Sequence, residues 1–185
     1  MDLQTSLNFK LIQRALIFLI FPLTTVLWSE EVSFNNLFAE YKRGNYELVA
    51  KQSLGHLNSG VSEKDPRIFF LYISTEESWY LIKKMTERET TPHFKNSVHY
   101  WNSIYLCMDR AIVFGETDKI VEWGKQFQKS GKQSPKYPDA LLLYSIALID
   151  LKNLSEARRV VDELEKLSPN EDLKKQILEI KTTLN

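Results

Sequence analysis

Residues 139–170 read DALLLYSIALIDLKNLSEARRVVDELEKLSPN, and the spacing of large and small side chains in this stretch decides the fold. Leu141, Tyr144 and Leu148 are bulky and fall on one face of a helix, with small Ser145 beside them. After Leu151-Lys152-Asn153-Leu154 a second apolar period begins, with small Ala157 and bulky Val161 four residues on. Two helices joined by a tight turn satisfy this pattern. Ser145 and Ala157 are small where the helices must approach closely, and the bulky residues fill the space around that contact. Asn153 suits the turn, Ser155 is the expected N-cap of the second helix, and Pro169 ends it.

The same turn returns twice. Tyr41-Lys42-Arg43-Gly44-Asn45-Tyr46 and Phe114-Gly115-Glu116-Thr117 each place glycine between two apolar-periodic segments. Taking Gly44, Gly115 and Lys152 as equivalent gives spacings of 71 and 37 residues. The first is close to two periods of about 34 residues and the second to one. A further unit is therefore expected between residues 60 and 95. Asp65-Pro66 opens its first helix as N-cap and first-turn proline. Ser74-Thr75-Glu76-Glu77 has the form of a capping box, so a break is expected there. Residues 97–114 and 138–151 are then first helices of their units.

In the order of its large and small positions, residues 139–170 resemble a tetratricopeptide repeat, a helix–turn–helix unit. The resemblance extends over residues 32–170 and is fullest in the last unit. The first unit departs from it, with Leu37 and Val49 where small residues are usual. The resemblance implies an all-α chain of antiparallel helix pairs stacked as a short α-solenoid. Residues 171–184, with Leu173, Ile177, Ile180 and Leu184 at helical spacing, form the capping helix. It also implies a binding function without chemistry. First helices of such repeats line a concave groove, which here would carry Phe34, Phe38 and Tyr41, then Tyr105, Asp109 and Ile112, then Leu142, Ile146 and Ile149. Repeats that grip acidic C-terminal tails use Lys, Arg and Asn at these positions, whereas this set is largely apolar. An apolar or extended partner segment is expected, unless residues 171–184 fill the groove.

The chain has 185 residues, 43% hydrophobic and 26% charged, which is ample for one packed domain. Formal net charge is zero and no basic stripe occurs, which argues against nucleic-acid binding. Residues 1–29 form a different segment. Lys10 and Arg14 precede an apolar run over residues 15–28, and Ser29-Glu30-Glu31 follows. This is the layout of a secretory signal peptide. The apolar run of 14 residues is short of the roughly 20 that a span requires. The expectation is an exported protein, periplasmic or extracellular, whose repeat domain covers residues 30–185. The alternative is an uncleaved anchor formed by residues 15–28.

Catalytic and metal-binding readings find little support in the sequence. Cys107 lies on the apolar stripe of Ile104, Met108 and Ala111 and reads as a small core residue. His93 and His99 are not at the i, i+4 spacing that sets two ligands on one helix face. No phosphate-binding loop, nucleophile elbow or metalloprotease motif occurs, and no cofactor is expected. An enzyme subunit would need a polar cluster around His99, Cys107 or Asp109. The sequence thus points to a scaffold or assembly factor in the cell envelope whose partner is another protein or peptide segment.

Overall fold

The computed structural model describes residues 33–59, 65–88, 92–167 and 170–184, and the regular elements within them are all helices. Helices α1 (Phe34–Lys42) and α2 (Tyr46–Asn58) form the first pair, α3 (Pro66–Thr75) and α4 (Trp79–Thr86) the second. A short α5 (Pro92–Lys95), not anticipated from the sequence, precedes α6 (Val98–Val113) and α7 (Thr117–Ser130). The pair α8 (Tyr137–Asp150) and α9 (Leu154–Lys166) follows, and α10 (Glu171–Leu184) ends the stack. The expected leader at residues 1–29 and the closing Ser168-Pro169 lie outside the described residues. No described helix is long and apolar enough to cross a membrane.

Three turns share one geometry. Gly44, Gly115 and Lys152, the positions equated from spacing, have φ of +82°, +66° and +58°. At each, the backbone closes the preceding helix in the same way. Asn45 N–H donates to Glu40 O, Glu116 N–H to Ala111 O and Asn153 N–H to Leu148 O. The left-handed residues themselves donate to Tyr41, Ile112 and Ile149. This double bond pattern satisfies carbonyls that a helix end leaves open. Glycine enters it without a side-chain penalty, whereas Lys152 holds it at a steric cost.

The second pair breaks differently. Residues 66–86 are two helices, with the break where the sequence placed it, but the N-cap is Ser78, whose Oγ accepts from Leu81 N–H. Ser74 and Thr75 instead donate their hydroxyls back to Phe70 and Leu71 within α3. The carbonyls left open at the end of α3 are served by Arg110 of α6, which donates to Ser74 O and Glu76 O. A side chain from the next unit replaces the left-handed residue, so no glycine is needed there. In the last pair the cap is Asn153, whose Oδ1 accepts from Glu156 N–H, rather than Ser155. Asp65 caps α3 as expected, accepting from Arg67 N–H at 2.9 Å.

The first helices contact one another in series, α1 to α3 to α6 to α8, while α7 and α9 pack on either side of α8. Ser145 and Ala157 are fully buried, as their small size requires, and Leu37 and Val49 are buried too. Another close approach joins two successive pairs. A Cβ added at Gly124 of α7 would lie 2.4 Å from Cγ of buried Tyr144 on α8. Cys107 is fully enclosed, and burial pushes its thiol up to about 12, so it stays protonated and inert at neutral pH.

Candidate protein-binding face

The groove positions lie ten, six and three residues before each left-handed turn residue. On α1 they bring three rings together. Phe34 and Phe38 stack with centroids 5.4 Å apart, Phe38 and Tyr41 at 6.3 Å, and Tyr46 continues the row from Tyr41 at 5.4 Å. Spacings of four and three residues put such side chains on one helix face, which is why α1 can present them as a row. Phe38 remains 38% exposed, and Phe34 and Tyr41 are half-buried.

On α6, Tyr105 is half-buried, Asp109 is exposed and Ile112 is 50% exposed. This set is joined to the α1 row through α3, which packs on both helices. On α8, Ile146 is 42% exposed and Ile149 half-buried, but Leu142 is buried and belongs to the core. Neighbours α6, α7, α9 and α10 all pack on α8, which draws Leu142 inward.

Charge on this face differs from the expectation of an apolar lining. The Arg67 guanidinium lies 4.4 Å over the Phe34 ring, Lys42 Nζ 4.8 Å over Phe38 and Lys136 Nζ 5.1 Å over Tyr105. Cations over ring faces are held by the quadrupole of the aromatic. Arg67 is also bidentate to Asp65, with Nε 3.0 Å and a terminal nitrogen 2.7 Å from the carboxylate. Burial acts to raise the Asp65 pKa, but the Arg67 hydrogen bonds and charge outweigh it and hold that carboxyl below its ordinary value. Lys136 is paired with Asp139 at 3.1 Å, which raises its pKa. Sequence periodicity missed Arg67 and Lys136 because each reaches a ring on a neighbouring helix. The one available signal was that Arg67 falls in the first turn fixed by Asp65-Pro66.

Helix α10 buries Leu173, Ile177, Ile180 and Leu184 and packs on α9, touching α8 only lightly. Lys181 pairs with Glu165 at 2.7 Å, and Arg158 donates to Leu184 O. The helix covers the end of the stack, and Ile146 stays open beside it. Among the described residues, no three of His, Cys, Asp and Glu converge in a way that could hold a metal ion.

Residues 125–176 match the model of the tetratricopeptide repeat family. The match takes in the end of α7, all of α8 and α9 and the start of α10. No curated protein and no solved structure matches the chain. Residues 125–176 are thus similar to a tetratricopeptide repeat, and the described residues form an all-α stack of helix pairs consistent with a solenoid of that kind. Repeats of this family generally mediate protein–protein interaction and are typically non-catalytic.

Proposed function

We propose that the protein is a non-catalytic scaffold or assembly factor of the cell envelope, holding a partner segment on the face formed by α1, α3 and α6. The observation that carries this reading is the aromatic row of Phe34, Phe38 and Tyr41, which stays partly exposed. Rings in a groove supply large contact area at low entropic cost. The cations over Phe34, Phe38 and Tyr105 add polar contacts for an extended chain. Export is supported by Lys10, Arg14 and the apolar run over residues 15–28, and the partner is accordingly a protein or peptide met outside the cytoplasm. A version tethered by an uncleaved residue 15–28 segment is the second reading, favoured by the same run.

The test uses protein recovered from the envelope fraction, with its N-terminus sequenced. A start near Glu30 supports cleavage, and an intact N-terminus in the membrane pellet supports the tether. Phe38→Ala and Ile112→Ala should each lose captured envelope proteins that the parent retains, with about a tenfold weaker interaction and a melting temperature close to the parent's. Unchanged retention by both variants would remove the binding role from this face.

A further inference from the structure

Helix α4 is held differently from the other second helices. α2 packs on α1 and α3, α7 on α6 and α8, and α9 on α8 and α10. α4 touches α6 only lightly and barely meets α3, the first helix of its own pair. The stack closes without it. α3 packs directly on α6, and Arg110, not α4, satisfies the carbonyls at the end of α3. The link from α3 into α4 is extended at Glu76 and Ser78, with ψ of 128° and 108°, and holds no left-handed residue. Eight residues are too few for a helix to persist in water alone, so α4 exists because its seat holds it.

That seat is apolar with a charged rim. Trp79, Ile82 and Met85 of α4 are buried at a spacing of three residues. The Trp79 ring lies against Phe114 at the end of α6 and Trp123 of α7. The start of α7 forms the rim. Glu116 makes no side-chain bond to cap its own helix, and its carboxylate instead accepts from Trp79 at 3.2 Å and Lys83 at 2.6 Å. Lys119, on the next residues of α7, pairs at 3.3 Å with Glu87 just past α4. Residues 79, 83 and 87 therefore form one helical stripe of ring, cation and anion, set against an anion and a cation on α7. The Lys83 and Glu116 side chains stay 28% and 34% exposed, so the rim is open to solvent. Beyond α4, Arg88 donates to Asn58 of α2.

We propose that α4 is a placeholder, and that its seat on α6 and α7 binds an amphipathic helix of a partner protein that displaces it. The seat sets the chemistry of that helix. It carries an aromatic ring, an aliphatic side chain three residues on, a lysine or arginine at four and an acid at eight. Recognition of a helix in a groove uses anchors at such spacings. The aromatic row on α1 takes no part, so this inference stands apart from the binding face proposed above.

The probe is a synthetic peptide of residues 77–88 of this chain, added unlabelled to isotope-labelled full-length protein. As the peptide binds, amides of residues 79–86 should lose hydrogen-exchange protection while those of α6 and α7 keep theirs. With a dye-labelled peptide and fluorescence anisotropy, Lys83→Glu protein should bind about tenfold more tightly than the parent. Its own α4 is repelled by Glu116, so the seat stands open in a larger share of molecules. A peptide carrying Lys83→Glu should bind the parent about tenfold more weakly and recover affinity for Glu116→Lys protein. The exchange experiment uses the parent protein alone, so it decides the matter whatever the variants do to folding. No binding by the parent or by Lys83→Glu protein would overturn the proposal. So would binding that leaves residues 79–86 protected, or an affinity blind to the charge exchange.

Discussion

Replacing Trp79 by alanine is expected to cost about 3–5 kcal/mol of folding stability, the range for truncating a large buried aromatic. Trp79 opens α4 and is almost fully buried. Its ring stacks on Phe114 at 5.3 Å and meets Trp123 edge-on at 6.1 Å. Its indole N–H donates to Glu116 at 3.2 Å, and the same carboxylate holds Lys83 at 2.6 Å. One side chain therefore joins the second helix pair to the third. Helix α4 has few other contacts, so it should lose protection first in hydrogen exchange. Trp79→Phe keeps part of the stack, removes the donor to Glu116 and should cost less. A urea melt measures both, and an alanine variant as stable as the parent would show that α4 is not docked on α6.

Gly124→Ala is expected to destabilise by about 1–3 kcal/mol, against the usual sign of this change. In an ordinary helix interior, alanine is favoured over glycine by roughly 0.5–1 kcal/mol. Here the new Cβ would lie 2.4, 2.6 and 2.7 Å from Cγ, Cδ2 and Cβ of Tyr144. Tyr144 is fully buried, and burial pushes its phenol up to about 12. The clash involves the root of the side chain, which a rotation cannot move aside, so α7 and α8 must separate. In a Tyr144→Leu background the penalty for Gly124→Ala should shrink, because the two sites share one contact. A neutral or stabilising Gly124→Ala would contradict the close approach.

Both seams lie between units, and that is where sequence reading was weakest. Spacing alone equated Gly44, Gly115 and Lys152, and these are the described residues outside extended and right-handed backbone that define the turns. A turn is a local device written in a few neighbouring residues. The break between α3 and α4 was legible only as to place, because its carbonyls are completed by Arg110 from 34 residues away. Ser155 and Asn153 both suit a cap, and a shift of two residues lies within what local chemistry distinguishes. Pairing small residues within one hairpin identified Ser145 and Ala157 but passed over Gly124, whose partner lies on the next hairpin. The aromatic row on α1 follows from helical periodicity, whereas Arg67 and Lys136 reach their rings across helices.

The claim on which the rest depends is that successive helix pairs stack in register to form one continuous series of first helices. The Gly124–Tyr144 contact reports on that stacking directly, because the two residues belong to different pairs. Nuclear Overhauser effects measured on the protein in solution should connect the Gly124 α-protons to the Tyr144 ring protons. Ring proximity should also move those α-protons upfield. Strong cross-peaks of this kind are the expected result. Their absence, with Gly124 instead showing contacts to another helix or to solvent, would contradict the repeat stack and the binding face proposed on it.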